Sequence, residues 1–340
     1  MASEASEPRV LRGSRIPVSR GLVTMLVALA ALLLLGVLIA PSSVTPSVLL
    51  GVIPFAAVLG IAGLGQMLVV QQAGIDLSVP GAVSLAIVLA THVPNGDSGR
   101  LWIAVLLCIA FAVLGGLVNG VLVGVLGLNA VITTLGTNGL MFGAILVISG
   151  GVPRTTTPLL ASIANGHVLG VPHTLIFLLL ALLLVAVLLK RSVAGRRFEG
   201  VGASPAASRA MGLRVRTHKV GAYIWAQLLY FLAGIVLAGV VAQPTAYLGN
   251  NYLLPSVAVV VLGGTSLLGG RGFPVATVVA AVFLTQLEQF SLALGIPYAA
   301  RTLMQAAAFV IGVAIYTIDW GRVRRWFAAR RRPGAVRAPA

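Results

Sequence analysis

The chain has 340 residues, of which 59% are hydrophobic and only 9% charged, whereas about a quarter of the residues of a soluble domain are charged. This composition excludes a soluble enzyme or binding domain and indicates an all-α polytopic membrane protein. The net charge of +16 does not indicate nucleic-acid binding, because Lys and Arg fall in short clusters beside apolar segments, without interleaved aromatic residues. The single cysteine, Cys108, excludes a disulfide within the chain and is interpreted as a packing residue.

The apolar segments predict about ten membrane helices, at about 20 residues for each crossing. We place them near 21–40, 47–70, 78–91, 101–124, 131–149, 174–190, 220–241, 253–263, 273–292 and 301–319. The first segment exceeds the roughly 7 to 15 residues of a signal-peptide core, so we interpret it as a retained helix. The third and eighth segments are too short to cross a membrane alone.

Basic residues are concentrated in three parts of the chain: the first 20 residues, the loop 191–219 and the last 21 residues. The positive-inside rule places these parts in the cytoplasm, so both termini are predicted to be cytoplasmic. Segments 92–100, 150–173, 242–252 and 293–300 carry few basic residues and are expected outside. The domain prediction is a cytoplasmic tail at 1–20, one transmembrane domain at 21–319 and a basic cytoplasmic tail at 320–340.

Each short predicted helix adjoins a glycine-rich interruption, "GIDLSVPG" at 74–81 and "GGTSLLGGRG" at 263–272. A helix break at membrane depth is tolerated only where it is buried in protein or lines a wet cavity, and in transporters it often marks the substrate route. The residues predicted to break the helices are Gly74, Pro80, Gly81, Gly263, Gly264, Gly269 and Gly270.

Asp76 is one of seven acidic residues and has apolar sequence on both sides. A carboxylate at the centre of a membrane helix costs about 2.5 to 3.5 kcal/mol on insertion scales, so Asp76 should have partners or lie where the helix breaks. One hypothesis places it on a translocation pathway or at a hinge beside one. The other is that Asp76 or Ser78 caps the helix that starts near Pro80.

Further polar residues lie in the fourth and fifth predicted helices. Asn119 stands among glycines spaced for close helix contact, which favours a packing role. The segment "NAVITTLGTNGL" contains Thr133, Thr137 and Asn138, which either bond to backbone and neighbouring helices or form a weakly polar lining for a neutral polyhydroxylated solute. With Asp76 and Ser78, these residues are the candidate substrate pathway.

The loop segment "GASPAASRAMGLRVRTHK", residues 202–219, has the pattern of a short helix. Ser204 is a typical N-cap, Pro205 suits the first turn, and Gly212 suits the left-handed position after the last turn. A helix of about two turns is not stable alone in water, so it should dock on another surface. The alternative is a solvated basic loop near anionic lipid.

Catalytic motifs are missing from the sequence. No phosphate-binding loop occurs, so this chain does not contain an ATPase site. The seven carboxylates and four histidines show no metal-ligand spacing and no acid/base pair, which argues against an enzyme. Glu288 is interpreted as an interfacial residue that reaches water or pairs with Arg301.

Three segments, "GIDLSVPGAVSLA", "GASPAASRAMGLRV" and "VAVVVLGGTSLLGGRGFPVATVVAAV", together resemble the signatures of ribose-type sugar permeases, the membrane subunits of bacterial ABC importers. The resemblance covers roughly residues 47–319 in the same order. The family pattern "GIDLSVG" is altered here to Val79-Pro80-Gly81. Branched-chain amino-acid permeases are similar in the cytoplasmic loop and the later glycines, but the "GIDLS" element indicates the sugar branch.

The resemblance implies that the short loop helix is the coupling helix that docks on a separate ATPase. Its residues would be Ser204, Pro205, Ala206, Ala207, Arg209, Met211 and Gly212. The resemblance also implies an extracytoplasmic sugar-binding protein, a second permease that is a copy or a paralogue, and a multi-pass location in the bacterial inner membrane. ATP and magnesium would be bound by the ATPase, with no cofactor in this chain.

Three rival functions remain open from the sequence. An ABC permease for amino acids or nucleosides is the nearest one. An ion-coupled secondary transporter would need intramembrane charges, of which the chain has few. A membrane enzyme ranks third.

Overall fold

A computed structural model describes residues 19–317 of the chain. The tail predicted at 1–20 lies almost wholly outside this range, and the tail predicted at 320–340 lies entirely outside it. The last two residues of the tenth predicted helix are also outside the described residues.

The described residues form thirteen α-helices and one small hairpin. The helices are α1 (Arg20–Ile39), α2 (Pro46–Gln71), α3 (Val79–His92), α4 (Leu101–Gly124), α5 (Ala130–Ser149), α6 (Pro158–Asn165), α7 (His173–Arg191), α8 (Val193–Ala203), α9 (Pro205–Ala210), α10 (Val215–Val240), α11 (Leu253–Leu262), α12 (Pro274–Ala293) and α13 (Tyr298–Thr317). The hairpin pairs β1 (His167–Val168) with β2 (Val171–Pro172) in antiparallel register.

Seven of the described helices are long and apolar enough to cross a membrane, namely α1, α2, α4, α5, α7, α10 and α12. Helices α3 and α11 are shorter, with 14 and 10 residues, as the sequence predicted for these two segments. The all-α polytopic fold is therefore confirmed. Ten crossings and cytoplasmic termini stay predictions.

Helices α2 and α10 form the centre of the bundle. Helix α2 packs against α7, α10, α11 and α12, while α10 also contacts α3 and α4. Large side chains such as Met67 on α2 and Tyr230 on α10 are fully buried. The outer helices instead expose apolar side chains, including Leu38 on α1 and Leu183 on α7. This distribution suits a bundle whose surroundings are as apolar as its core.

The packing of α4 on α10 depends on glycines, as the sequence predicted. A Cβ atom on Gly116 would lie 2.5 Å from Ile224 Cα, and one on Gly120 would lie 2.8 Å from Val220 Cα. Since real Cβ atoms do not approach backbone atoms so closely, larger residues would push the two helices apart.

The two ends of the bundle differ. Helices α8 and α9 connect the end of α7 to the start of α10 and define what we call the loop end. Helix α6 packs against the last turn of α10 and, with the β1–β2 hairpin, marks the far end. At the loop end, Lys190 of α7 forms an ion pair with Glu199 of α8. The sequence pattern placed α6, α8 and the hairpin in loops, because none of them contains a long apolar run.

Candidate functional site

The predicted helix break lies between the end of α2 and the start of α3. Its left-handed residue is Ala73, with φ of 58°, and not the neighbouring Gly74. Gly74 is required for space, since a Cβ atom there would lie 2.8 Å from the Tyr223 hydroxyl and 3.1 Å from Val69 Cγ1. The break is therefore held tightly between its own helix α2 and the central helix α10.

The Asp76 carboxyl group is fully buried and receives hydrogen bonds from uncharged donors. Its Oδ1 atom accepts from the Ser78 backbone N–H at 2.9 Å and from Ser78 Oγ at 2.5 Å. Its Oδ2 atom accepts a longer bond of 3.4 Å from Gln227 Nε2 of α10. Within residues 19–317 no Lys or Arg forms an ion pair with it. Hydrogen bonding alone compensates the free-energy cost of burying this carboxyl group.

Ser78 joins Asp76 to three helices. Its hydroxyl oxygen accepts from Gln227 Nε2 at 2.6 Å and from Asn119 Nδ2 of α4 at 3.2 Å. Asn119 Oδ1 in turn accepts from Thr137 Oγ1 of α5 at 2.5 Å. These five residues form one connected group, which we call the buried polar cluster.

The backbone of Asp76 has its own partner in Gln66 of α2. With its amide oriented to match its neighbours, Gln66 Nε2 donates to the Asp76 carbonyl at 3.2 Å and to the Tyr230 hydroxyl at 2.7 Å. Gln66 Oε1 accepts from the Asp76 backbone N–H at 3.3 Å. One glutamine side chain thus satisfies both backbone groups that the broken helix leaves without helical partners.

Side chains of the neighbouring helix α5 cap the start of α3. Asn138 Oδ1 accepts from the Gly81 backbone N–H at 2.8 Å, and Thr134 Oγ1 accepts from the Leu77 N–H at 2.8 Å. The prediction that Asp76 or Ser78 caps α3 is therefore wrong for Ser78, whose side chain makes no cap bond. Among the backbone N–H groups at the start of α3, the Asp76 side chain accepts only that of Ser78, because Asn138 of α5 accepts the N–H of Gly81.

Of the six residues that the sequence marked as a candidate pathway, the structure joins Asp76, Ser78, Asn119 and Thr137 by hydrogen bonds, while Asn138 binds the adjacent Gly81 N–H and Thr133 lies one turn before Thr137. Asp76, Ser78 and Asn119 are fully buried, Thr133 and Thr137 are 8% and 5% exposed, and Asn138 is half-buried. The hydroxyl of Thr137 faces α4, where it donates to Asn119. Contact between these residues and a passing solute stays a prediction.

Sequence reasoning missed Gln66 and Gln227, which supply partners to the break. Each stands within an otherwise apolar stretch of its helix, "GLGQMLVV" in α2 and "IWAQLLY" in α10. Isolated polar residues inside membrane helices are a signal for buried hydrogen bonding, so this signal was available. Their common partner, Asp76, could not be inferred because Gln227 is 151 positions away.

The second break, at 263–272, meets the first at the loop end. Gly264, Gly269 and Gly270 have φ values of 87°, 89° and 100°, a conformation that L side chains rarely adopt. The Gly270 N–H donates to the carbonyl of Gln71, the last residue of α2, at 2.9 Å. Gly264, Gly269 and Gly270 therefore provide left-handed turns in the segment between α11 and α12.

The loop between α7 and α10 joins the same point. A Cβ atom on Gly202 of α8 would lie 2.0 Å from the Gln71 carbonyl oxygen, and one on Gly269 would lie 2.6 Å from the Gly202 carbonyl oxygen. The side chain of Gln72 donates to the Phe198 carbonyl of α8 at 3.0 Å. We call Gln71, Gly202, Gly269 and Gly270 the glycine junction, since it connects both breaks to the loop end.

Helix α9 has the local structure that its sequence predicted. The Ser204 side chain accepts from the Ala207 N–H at 3.3 Å, and Pro205 occupies the first helical position. Gly212 has φ of 77°, and the Leu213 N–H donates to the Ser208 carbonyl at 2.9 Å, which closes the helix with a Schellman turn. Met211 is 70% exposed, so an apolar side chain stands at the end of this helix without cover from the other residues that the structure describes.

No group of three or more His, Cys, Asp or Glu residues that could hold a metal ion occurs in the described range. His92 and His173 lie beside backbone carbonyls, with His92 Nε2 at 3.1 Å from the Val152 oxygen and His173 Nδ1 at 2.8 Å from the Ile163 oxygen. These two histidines are therefore used in local contacts at the far end.

Comparison with known families matches residues 48–314 to the family described as branched-chain amino acid transport system / permease component. The chain belongs to this family. The match covers both helix breaks, the buried polar cluster, the glycine junction and α9. No solved structure matches the chain.

Curated relatives in this permease family have import functions. The chain is 36% identical over 264 residues to the autoinducer 2 import system permease protein LsrC of Enterobacter sp. (strain 638), covering 76% of each protein. It is 31% identical over 265 residues to the ribose import permease protein RbsC of Haemophilus influenzae, covering 76% of this chain and 81% of the relative. It is 29% identical over 322 residues to LsrD, an autoinducer 2 import system permease protein of Escherichia coli (strain K12), covering 89% and 96%.

The resemblance found in the sequence motifs is thus confirmed at the level of the family. The chain is a multi-pass membrane permease of the ABC import type, and its homologues are transport subunits rather than enzymes.

Proposed function

We propose that this permease imports a monosaccharide or a closely related polyhydroxylated solute, driven by ATP hydrolysis in a separate subunit. The observation that carries the proposal is the occurrence of three features in order along one chain: a helix break that contains "GIDLS", a capped loop helix and a glycine-rich second break. The similarity to a ribose import permease and to two autoinducer 2 import permeases supports a small polyhydroxylated solute.

Helix α9 is the proposed contact with the ATPase. It lies at the loop end and exposes Arg209 and Met211. A six-residue helix has little stability of its own, and here a side-chain cap and a Schellman turn hold it in shape. An exposed apolar side chain beside a basic one suits insertion into a groove on another protein, so the rigid shape of α9 supports a docking role.

The glycine junction is the proposed route by which movement of α9 reaches the membrane helices. Gly202 precedes α9 by only a few residues and touches the carbonyl of Gln71, which ends α2. The break that contains Asp76 begins directly after Gln71. A displacement of the loop end would therefore act on the first residues of the break without any intervening flexible segment.

The remaining parts of the assembly follow from the import role. We propose that an extracytoplasmic binding protein delivers the solute at the far end and that a second permease, a copy or a paralogue, completes the pathway. The ATPase binds ATP and magnesium on the cytoplasmic side of the bacterial inner membrane, where the loop end and both termini lie. The candidate residues from Asp76 to Asn138 are proposed to border the pathway at the break.

Amino-acid import is the second candidate, because the family description itself names branched-chain amino acid transport. The two proposals differ in the solute but share the fold, the coupling helix and the ATPase. They are separated by the solute that is taken up.

The experiment is to tag the chain in its native host, purify it in mild detergent and identify the co-purifying proteins by mass spectrometry. The complex is then reconstituted in liposomes, and ATP-dependent uptake of radiolabelled D-ribose, D-xylose, D-galactose and L-leucine is measured with the co-purified binding protein. We expect an ATPase with a phosphate-binding loop and uptake of a sugar. Uptake of L-leucine alone would favour the second candidate, while repeated purification of the chain alone would contradict ATP-driven import.

A further inference from the structure

A large cavity opens at the far end of the bundle, away from α9. Its volume is about 670 Å³, and it is lined by α2, α10, α11, α12 and α13 and by the segment between α10 and α11. The volume lies in the range of sites that enclose small molecules. None of the six candidate pathway residues lines this cavity.

The cavity extends deep into the bundle along the central helix α2. Its lining includes Gly51 near the start of that helix and Leu59 further along. Leu59 stands 13 positions after Pro46, the first residue of α2, which corresponds to about 20 Å at 1.5 Å per residue. The cavity therefore extends from the far end to roughly the middle of α2.

Polar and charged side chains line the part of the cavity nearest the far end. Glu288 of α12 and Arg301 of α13 both face it, together with Asn250, Asn251 and Gln289. Among the described residues neither Glu288 nor Arg301 forms an ion pair, and the buried Nε atom of Arg301 has no hydrogen-bond partner. The sequence-based alternatives for Glu288 were contact with water or a pair with Arg301, and the structure favours the first.

The inner end of the cavity, which points towards the loop end, is closed by leucines. Leu59 of α2, Leu237 of α10 and Leu284 of α12 are all buried. Gln66 and Gln227, which hold the Asp76 break, lie further along α2 and α10 towards the loop end, at about 10 and 15 Å by helical rise. These three leucines thus lie between the polar side chains of the cavity and the buried polar cluster.

We infer that this cavity is the outer vestibule of the permease. In it, Glu288 and Arg301 form hydrogen bonds to a polyhydroxylated solute, and Leu59, Leu237 and Leu284 close its inner end. The inference rests on the proposed function and adds the site at which the solute enters this subunit. A carboxylate supplies acceptors, a guanidinium supplies donors, and side-chain amides supply both, which matches the alternating donors and acceptors of sugar hydroxyls. An apolar constriction blocks water and polar solutes until the helices around it move.

The first experiment tests access and blockage with introduced cysteines. The natural Cys108 is replaced by alanine, and Thr285→Cys is introduced in the cavity wall. The matched control is Thr45→Cys, an exposed threonine at the start of α2 that does not line the cavity. The reconstituted complex is treated from the far side with a positively charged, membrane-impermeant methanethiosulfonate, and ATP-dependent sugar uptake is measured.

We expect the reagent to modify both cysteines but to reduce uptake by about tenfold or more only in Thr285→Cys, since a bulky adduct fills part of the vestibule. Unmodified Thr285→Cys would overturn the inference, because a vestibule must be open to water from this side. Full modification without loss of uptake would overturn it as well.

The second experiment removes the charges. Glu288→Gln and Arg301→Gln should each raise the KM of sugar uptake by about tenfold, because a hydrogen bond to a charged group is replaced by a weaker neutral one. Asp97→Asn is the control, since Asp97 pairs with Arg100 on the exposed surface of the far end and does not line the cavity. An unchanged KM in both cavity variants would contradict a binding role.

The two levels of the proposal fail in different ways. If the Cys108→Ala parent takes up no sugar in an ATP-dependent manner, the proposed function is wrong, and a sugar vestibule is wrong with it. If the parent takes up sugar while the adduct and the charge variants have no effect, only the vestibule is wrong. Uptake of L-leucine that is abolished by Glu288→Gln would also contradict a polyhydroxylated solute.

Discussion

Ser78 has the largest number of partners in the buried polar cluster. It donates its hydroxyl proton to Asp76 and accepts from both Gln227 and Asn119. Each of these groups is buried, so bulk water cannot take the place of the Ser78 hydroxyl as a hydrogen-bond partner if Ser78 is lost. The cost of an unsatisfied buried polar group is therefore incurred several times at this one position.

We predict that Ser78→Ala destabilises the protein more than a typical serine deletion does. The carboxyl of Asp76 loses its shortest donor, and the amide groups of Gln227 and Asn119 lose an acceptor. The expected loss is about 1 to 3 kcal/mol in the free energy of unfolding, measured as a lower midpoint of thermal aggregation in detergent.

Ser291→Ala is the matched control for this prediction. Ser291 is similarly buried, but its hydroxyl donates chiefly to the Leu287 carbonyl one turn earlier in the same helix, at 2.7 Å. Its loss leaves that carbonyl in the helical ladder and should change stability little. Equal effects of the two substitutions would show that the cluster does not stabilise the break.

The residues of the cluster could be predicted only in part. Asp76, Ser78, Asn119 and Thr137 are visible as polar residues in apolar sequence, and the structure brings them together. Which helix supplies each partner depends on tertiary packing. Gln227, for example, lies in α10, which follows Asp76 in the sequence only after α8 and α9. The same limit explains the wrong cap, since Asn138 belongs to a different helix from the N–H group it accepts.

At the scale of single elements, the shape of α9 depends on the backbone conformation of one residue, Gly212. Gly212 has φ of 77° and no heavy atom within 4 Å of a Cβ placed on it. A side chain at this position would therefore meet no neighbour, and its whole effect would arise from the backbone. A residue with a Cβ atom in the left-handed region costs about 1 to 2 kcal/mol, and a β-branched residue is more restricted still.

We predict that Gly212→Val weakens binding of the ATPase while the chain still inserts into the membrane. The valine disfavours the Schellman turn, so the end of α9 that carries Met211 loses its fixed shape. The measurement is the affinity of the purified permease for the co-purified ATPase, with membrane insertion followed by the yield of folded protein.

Gly127→Val provides the control for α9. Gly127 lies in the α4–α5 loop, has φ of 75°, and a Cβ atom added to it would likewise meet no heavy atom within 4 Å. The substitution imposes the same backbone cost near the same end of the bundle but outside α9. Normal ATPase affinity in Gly212→Val, or an equal loss in Gly127→Val, would count against the docking role.

The bounds of the long helices were largely predictable, because a membrane crossing requires a long uninterrupted apolar run. Helices α2, α4 and α5 begin and end within one residue of the predicted segments. Helix α10 starts five residues earlier than predicted, at Val215, because its first turns carry Arg216 and Lys219 and extend beyond the apolar segment. The short helices α6 and α8 give no comparable signal.

At the scale of the whole molecule, the glycine junction is the point where three distant parts of the chain meet. The end of α2, the start of the α9 loop and the second break touch through backbone atoms, without side chains between them. Backbone contacts of this kind are stiff, since they leave no rotamers to absorb a displacement. A shift at one part is therefore passed to the others.

We predict that Gly269→Ala lowers sugar uptake more than it lowers ATPase binding. A Cβ atom there would lie 2.6 Å from the Gly202 carbonyl oxygen and 3.1 Å from that of Gln71, which forces the junction apart. The measurement is the number of solute molecules imported per ATP hydrolysed, which should fall.

Gly270→Ala separates the contact from the backbone strain. Gly270 has an even larger positive φ of 100°, but its nearest neighbours would be atoms of Ala203 at 3.7 Å, an ordinary contact. Equal uncoupling by Gly269→Ala and Gly270→Ala would show that strain in the loop, and not the contact with Gly202, is responsible.

The buried polar cluster also has a consequence for biosynthesis. Asp76 and its partner Gln227 are separated by 151 residues, and Gln66 and Tyr230 by 164. At about 5 to 20 residues per second, the ribosome needs roughly 8 to 30 s to make the chain between Asp76 and Gln227. During this time the Asp76 carboxyl group has its donors from Ser78 but lacks the amide of Gln227. The hydrogen bonding of the break is therefore completed only after α10 has been made, late in synthesis of the chain.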